Sequence, residues 1–575
     1  MRTMSSLFQV RTGLVAAALC AALGLRAQIG EQYYINGIYN PTLADVSKID
    51  LKPQPYDSIL PEKEITYGLM EVKGEVPAHV DSIDAARLNI QTAQEKLYKG
   101  FVKAGFGLYT TPLAELYYDQ TRSKQNGYGI HFKHLSSNGG INDRGPSDYS
   151  TNTLDAFYNA YLRNHVIQGR AAYDRKRVSY YGYPATDSLE NLHLLSPEPP
   201  DDALRQVYNN IGFALRVKSL YKDSTKLAHD AGLEVNNFTN LGGSRELNLV
   251  LDARLAMEQG SETFGGDVLI DNNSYRGIRD SLPELRQNGT MVGLSPFVST
   301  TNGTYLVKVG AGIYVDAMGK TTFHFYPQAY AQYRLFDDIL VPYIGVDGRR
   351  IRNGLRSLSR TNPFIQGAPL LANSSLMHDL YAGLRGSLGR DIGFDVRISK
   401  SRIKDRPLFL SVQQDIGGVR YGDRFLPVYD QVDQLDIGGE LRYSHDEHVN
   451  IHGGLHIFSY STDQQAEAWN LPIYTLNLGA VYDFQDKLLV KLEAVFNGRR
   501  QMAVTLPAGW NDLSPEPVSY EADGYLDLHL GLEYRYTKRL SVFLECSNLS
   551  ASKYERWYNY PVQRTLVLGG ATFAF

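Results

Sequence analysis

Beyond its first 25 residues the sequence has no long apolar run. The chain of 575 residues has a mean hydropathy of −0.30. No later stretch approaches the ~20 consecutive apolar residues that a membrane-spanning helix needs. The sequence therefore excludes a multi-span helical membrane protein. Charged residues at 21%, alongside 43% hydrophobic residues, also exclude a wholly disordered chain.

The sequence also has few cysteines and no excess of basic residues. The only cysteines are Cys20 and Cys546, so a CxxC metal or redox site is excluded. The formal net charge is −4. Removing residues 1–27 takes away three arginines and no acids, which leaves 55 basic against 62 acidic residues and a charge of −7. No basic footprint for nucleic acid is present.

The first residues have the layout of a secretory signal peptide. Arg2 and Arg11 precede the apolar stretch Gly13–Leu25, and Ala27 supplies a small residue for cleavage. We predict that residues 1–27 are removed after Ala27. The remaining chain keeps one cysteine and can form no internal disulfide, which suits an exported protein stabilised by a closed ladder of hydrogen bonds.

Alternation with a period of two recurs from about residue 100 to the end, in a chain rich in tyrosine (40) and glycine (52). In the segment Gly524–Thr537, leucines and tyrosines from Leu526 to Tyr536 occupy the even positions. Charged or small residues, from Asp527 to Arg535, occupy the odd ones. Such strands have one apolar and one polar face, as in membrane-spanning β-barrels.

The connections between these strands alternate between short turns and mostly longer loops. Short turns such as Gln485–Lys487 alternate with connections such as Arg499–Asp523, Arg352–Ser374 and Asn272–Gln287. We predict an all-β fold, a transmembrane antiparallel β-barrel over residues 100–575 with about 22 strands. Counts of 20 or 24 remain open because Lys404–Gln431 could be one long loop or hold a further hairpin.

The segment 28–99 differs from the rest of the chain. Proline and charge dominate Leu51–Lys73 and the alternation is lost. We predict a periplasmic or lumenal N-terminal extension.

The C-terminal residues resemble the closing hairpin of TonB-dependent receptors. The matching positions are Asn548-Leu549, Lys553-Tyr554, Tyr560-Pro561, Arg564 and Gly570-x-x-Phe573-x-Phe575. The resemblance implies a 22-strand barrel whose final strand, with Phe573 and Phe575, is the signal read by the barrel-assembly machinery. That family carries a globular plug ahead of its barrel. Only 72 residues (28–99) precede the barrel here, and they show no plug-like pattern.

Two groups of charged residues are candidates for function. Charged residues on the polar strand faces are expected to line the lumen: Asp395, Arg397, Lys491, Glu493, Asp527, Glu533 and Arg535. Five arginines crowd one predicted loop and could contact an anion or a lipopolysaccharide phosphate: Arg349, Arg350, Arg352, Arg356 and Arg360. A further group in the closing loop, Tyr554 to Tyr560, is interpreted as an aromatic girdle rather than a recognition surface.

The sequence favours a transport channel or receptor component in the outer membrane of a Gram-negative cell. The alternative is a non-transporting structural or assembly component of an envelope complex. No HExxH, GxSxG or P-loop motif is present. We therefore expect that the protein is not an enzyme and that it has no catalytic residue, metal site or cofactor. Expected partners are outer-membrane lipids and lipopolysaccharide, the barrel-assembly machinery, and an envelope protein or small solute, but no nucleic acid.

Overall fold

A computed structural model describes residues 98–182, 204–278, 283–336, 338–416, 419–446, 448–505 and 517–575. The predicted signal peptide and nearly all of the predicted extension lie outside these residues. In the described part of the chain no helix is both long and apolar enough to cross a membrane.

Strands account for most of the described residues. The first half of the sheet comprises β1 (Gly100–Gly107), β2 (Thr111–Gln120), β3 (Asn126–Ser137), β4 (Tyr149–Tyr161), β5 (His165–Ser179), β6 (Arg205–Ser219), β7 (Ala228–Asn240), β8 (Arg245–Gln259), β9 (Glu262–Gly277), β10 (Leu285–Thr301), β11 (Tyr305–Met318), β12 (Lys320–Tyr333) and β13 (Leu340–Ile351). The second half comprises β14 (Ser374–Leu388), β15 (Ile392–Ile416), β16 (Val419–His445), β17 (Val449–Thr462), β18 (Tyr474–Phe484), β19 (Leu488–Asn497), β20 (Arg500–Thr505), β21 (Val518–Ala522), β22 (Tyr525–Arg535), β23 (Leu540–Ser547), β24 (Glu555–Trp557), β25 (Tyr560–Pro561) and β26 (Leu566–Ala574). One helix, α1 (Leu355–Thr361), lies between β13 and β14.

The strands close into an antiparallel ring. Each strand from β1 to β18 pairs with the next, and β19, β22, β23, β26 and β1 complete the circle. Of the 24 strands in this sheet, the hairpin β20–β21 lies outside the ring, which leaves 22. The predicted barrel and its strand count are confirmed.

The seam between β1 and β26 joins the two ends of the barrel. Gly105 lies opposite Gly570, and the Phe575 carbonyl accepts N–H groups of Lys99 and Gly100 at 3.0 and 2.9 Å. The Lys103 ammonium contacts a Glu545 carboxylate oxygen at 2.6 Å, from β1 to β23. The predicted signal residue Phe573 therefore lies within the closing strand.

Side chains alternate between the two faces of the wall as the sequence predicts. On β22, Leu526 points outward with 39% exposure and Asp527 points inward. The outward positions Phe323 and Val396 are 68% and 53% exposed. A ring of exposed apolar side chains of this extent marks contact with a membrane. The barrel therefore presents an apolar outer face and a polar inner face.

The two ends of the barrel differ, and we call them the turn end and the loop end. At the turn end, connections such as 389–391 and 485–487 are short. At the loop end lie the longer connections 138–148, 352–373 and 548–565, together with residues 180–182 after β5. The predicted loop Asn272–Gln287 is wrong in extent, because paired strands continue to Gly277 and resume at Leu285.

The predicted long loop Lys404–Gln431 is a hairpin in the structure. Strands β15 and β16 continue as a pair past the ring, from Arg406 opposite Asp430 towards their shared tip. The β20–β21 hairpin adds to β15 in parallel, with Leu410 beside Ala503. A small four-stranded sheet therefore projects at the loop end.

Candidate functional site

Three loops meet at the loop-end mouth of the barrel. Tyr181 follows β5, Phe364 lies between β13 and β14, and Tyr560 lies between β23 and β26. Ring centroids are 3.9 Å apart for Phe364 and Tyr560, 4.9 Å for Tyr181 and Tyr560, and 5.7 Å for Tyr181 and Phe364. We call these rings, with the buried residues around them, the mouth cluster.

The attachment points of these loops require the mouth cluster to lie inside the ring. Counted around the 22 strands, the loops leave the wall eight, eight and six positions apart. Strands about 4.8 Å apart and tilted by ~40° give a ring roughly 40 Å wide. Loops that start about a third of the circumference apart can touch only if each reaches far toward the axis. The mouth cluster therefore spans the mouth.

The β15–β16 hairpin leans into the same cluster. Phe409 and Phe425 both contact Trp557, with ring centroids 5.2 and 5.4 Å away. The Gln366 N–H donates to the Phe425 carbonyl at 2.8 Å, and the Phe425 N–H donates to the Phe364 carbonyl at 3.1 Å. Backbone hydrogen bonds thus tie the hairpin to the loop that carries α1.

The segment 352–373 follows the inner wall before it reaches the cluster. The Tyr208 hydroxyl donates to the Pro363 carbonyl and the Tyr180 hydroxyl to the Ile365 carbonyl, both at 3.0 Å. The amide of Asn240 donates to the Gly367 carbonyl at 2.7 Å. The buried carboxylate of Glu246 accepts the Leu355 N–H at the start of α1. Four strands of the wall, β5 to β8, therefore hold this segment in place.

Burial favours the protonated form of two tyrosines near the mouth, Tyr181 and Tyr429. It raises the pKa of Tyr181, and it raises the pKa of Tyr429 to about 12. The Tyr181 hydroxyl donates to the Pro561 carbonyl and the Tyr429 hydroxyl to the Leu370 carbonyl, both at 3.0 Å. These phenols act as neutral hydrogen-bond donors that join one loop to another.

The five predicted anion-contact arginines do not form one open patch. On β13, Arg349 is exposed on the outward face and Arg350 points inward, whereas the other three arginines belong to the segment 352–373. Each of the four faces a carboxylate on the wall: Arg350 with Asp316 at 2.9 Å, Arg352 with Asp271 at 3.3 Å, Arg356 with Glu234 at 3.5 Å and Arg360 with Asp174 at 3.9 Å. These pairs fix the segment 352–373 to the wall, and contact with an anion stays a prediction.

Below the mouth cluster, the inner wall of β13 to β17 forms a concave pocket of about 350 Å³. It contains two of the predicted lumen residues, Asp395 and Arg397. The Arg397 guanidinium contacts Asp379 at 2.6 Å, and Asp395 accepts the Tyr343 hydroxyl at 2.5 Å. Carboxylates of Asp379, Asp395, Asp436 and Glu440 outnumber the one arginine, so the pocket is negatively charged.

The other predicted lumen residues lie on a different sector of the wall. Lys491 and Glu493 are on β19; Asp527, Glu533 and Arg535 are on the neighbouring β22. The Asp527 carboxylate accepts the Tyr554 hydroxyl at 2.6 Å, and Arg535 contacts Asp483 at 2.7 Å. The structure therefore brings the predicted lumen residues together in two groups, not one.

Some residues of the site were missed or misassigned from the sequence. In the pocket, His456 Nδ1 lies 3.1 Å from Asp436 Oδ1. Both residues follow the same alternation, which could have identified them as residues of the lumen. The girdle assignment is wrong for Trp557 and Tyr560, which are 7% and 0% exposed inside the mouth cluster. No sequence signal separates a buried loop aromatic from one that faces the membrane interface.

At the turn end, His448, Asp483 and Asp486 bring metal-type ligand atoms within 4.8 Å of one another. Two of the three are exposed, and Asp483 already pairs with Arg535. The arrangement is that of an exposed turn.

The closed ring, the apolar outer face and the polar inner face define a large transmembrane β-barrel. Among solved structures, the chain is similar to the pyoverdine receptor FpvA of Pseudomonas aeruginosa PAO1, with 12% identity, 84% of this chain and 79% of that chain covered, and a TM-score of 0.60.

It is also similar to the FrpB iron transporter of Neisseria meningitidis, with 10% identity, 84% and 82% covered, and a TM-score of 0.62. A third similar structure is the ferric-catecholate import receptor Fiu of E. coli K12. The identity is 11%, the match covers 84% of this chain and 82% of that chain, and the TM-score is 0.57. No protein-family model and no curated protein matches the chain. At these identities the likeness shows the fold, and it confirms the resemblance to the barrel of TonB-dependent receptors.

Proposed function

We propose that the protein is an outer-membrane transport channel or receptor component whose loop end faces the cell exterior. The observation that carries this proposal is a mouth cluster that spans the entrance to a polar lumen. Structures with the same barrel are described as a pyoverdine receptor, an iron transporter and a copper transporter. This supports a role in taking up or recognising a small solute.

The solute path runs from the mouth cluster to the acidic pocket. Four carboxylates against one arginine favour cations over anions along the wall of β13 to β17. We therefore propose that an opened barrel is cation-selective.

The remaining assignments rest on the sequence and extend the proposal. Residues 1–27 direct export and are cleaved near Ala27, the segment 28–99 is a periplasmic or lumenal extension, and residues 100–575 form the barrel. The final strand, with Phe573 and Phe575, is presented to the barrel-assembly machinery.

Conductance in planar bilayers tests the proposal. We expect small currents from the full chain and large, cation-selective currents when a short Gly-Ser linker replaces residues 355–371. A variant with the same linker over 464–467, outside the mouth cluster, is the control. A chain lacking 28–99 shows what that segment adds. A pore would be excluded if none of these proteins conducts current, including a variant that lacks both 28–99 and 355–371.

The second candidate is a non-transporting structural or assembly component of an envelope complex. The four-stranded sheet formed by β15, β16, β20 and β21 favours it, because the sheet projects past the ring and offers a surface to another protein. Stoichiometric partners after gentle purification, with normal solute uptake in a deletion strain, would establish this candidate and reject the first.

A further inference from the structure

A basic patch lies on the outward face of the barrel near the loop end. Lys400 and Arg402 on β15 follow the outward, exposed residues Val396 and Ile398 at alternating positions. The residues between them, Ser399 and Ser401, point inward and are 8% exposed. The register places His378 of β14 opposite Arg402. We call Arg349, His378, Lys400 and Arg402 the outer basic patch.

The outer basic patch lies at the upper edge of the apolar belt. On β15 the outward positions from Ile392 to Ile398 are apolar, and Lys400 is the first charged one. Eight residues at ~3.3 Å each span roughly 26 Å along the strand, or about 20 Å along the membrane normal at a tilt of ~40°. The apolar belt of such barrels is about 25 Å tall. The patch is therefore at the level of the lipid headgroups.

The neighbouring strands show the same change one outward position nearer the loop end, level with Arg402. On β14 the outward residue Leu380 precedes His378 toward the loop end, and on β16 Leu435 precedes Asp433. The register pairs Leu380 with Lys400. The boundary between apolar and charged positions is therefore continuous across three strands.

The patch has a surplus of positive charge. Arg402 donates to both oxygens of Asp433, at 2.6 and 2.9 Å. Among the described side chains, Lys400 and Arg349 have no ion-pair or hydrogen-bond partner. Arg349, Lys400 and Arg402 against the one carboxylate of Asp433 leave a charge of +2, with His378 not counted. On β9 and β10, beyond the polar outward positions Asn272 and Ser274, Arg276 and Arg286 share Glu284 and leave +1.

We propose that the outer basic patch binds a phosphate group of an outer-leaflet glycolipid. Cations at headgroup height attract anionic lipid, and guanidinium groups pair with phosphate through charge-assisted hydrogen bonds. The apolar strip directly beneath, with Leu380, Val396 and Ile398, offers a surface to acyl chains. That strip favours a lipid over free phosphate. The inference rests on the proposed outer-membrane placement, but not on transport.

The test measures lipid retained by the purified full chain in native mass spectrometry. The probes are lipid A with two phosphates and the same lipid A after chemical dephosphorylation. We expect K400Q/R402Q to retain the phosphorylated probe at least tenfold more weakly than the unaltered chain. The control R276Q/R286Q, which also removes two cations from the outward face but farther from the apolar belt, is expected to retain it normally.

Three outcomes would overturn the proposal. One is an equal loss in K400Q/R402Q and R276Q/R286Q. The second is equal retention of the dephosphorylated probe, and the third is displacement of lipid A by millimolar inorganic phosphate. If K400Q/R402Q does not fold, R349Q/K400Q carries the test, because neither of those side chains forms a close ion pair or hydrogen bond among the described residues. Since retention is measured without conductance, failure here is separate from failure of the proposed channel.

Discussion

Replacing Tyr560 with alanine removes a fully buried ring from the centre of the mouth cluster. Truncating a buried aromatic side chain costs about 3–5 kcal/mol. Tyr560 stacks on Phe364 and contacts Tyr181, so the loss falls on contacts between loops and not on the strand ladder. If the cluster has a closed and an open state, this change moves their ratio by about two to four orders of magnitude toward open.

Single-channel recording in planar bilayers measures the shift directly. We expect Y560A to spend far more time open than the unaltered chain, and Y560F, which keeps the ring, to stay near it. Y536A is the matched control, because its ring is 66% exposed at the turn end. In a double-mutant cycle, Y560A and F364A should be coupled by about 1 kcal/mol, as expected for a stacked pair.

One result would refute the reasoning about the mouth cluster. If Y560A and F364A both stay silent while removal of 28–99 alone opens the pore, the barrier to solutes lies in that segment. The contacts among Tyr181, Phe364 and Tyr560 would then stabilise the loops without gating the barrel.

Two further predictions concern the wall. A Cβ on Gly570 would collide with the Ala104 carbonyl across the β1–β26 seam, whereas one on Gly569 would meet nothing closer than 3.7 Å. G570A should therefore weaken closure, seen as lost resistance to SDS in unheated gel samples, and equal resistance in G570A and G569A would contradict this. Arg350 and Asp316 form a buried pair, 11% and 2% exposed; R350Q should lower stability by about 3–5 kcal/mol in thermal unfolding. The exposed neighbour R349Q should change it by less than about 0.5 kcal/mol, and similar losses in both would show that the pair adds nothing.

Much of the barrel could be predicted from the sequence because each strand carries its own signal. On β22 and β15 the alternation of apolar and charged residues is local, and it fixes which face meets the membrane. The strand count followed from turn spacing. The extents of β9, β10 and the β15–β16 hairpin were less certain, because strands that continue past the membrane lose the apolar face and read as loops.

The site was harder to predict because it depends on distances across the ring. The alternation on β15 was enough to identify Asp395 and Arg397 as inward residues. The other residues of their pocket come from three other strands and include Asp379, Asp436 and His456. The loop arginines looked like one cationic patch in sequence. In the structure four of them pair with carboxylates on separate strands. Only Arg349 lies on the outward face of the barrel.

The sequence by itself determined the class of fold, the inward and outward faces and the closing strand, because period-two alternation and short turns are local properties of the chain. Only the tertiary structure decided that Tyr181, Phe364 and Tyr560 meet at the mouth. These residues are 379 positions apart from first to last, and nothing local encodes their contact. Ring closure brings their loops to one entrance, and burial of their aromatic surface then holds them together.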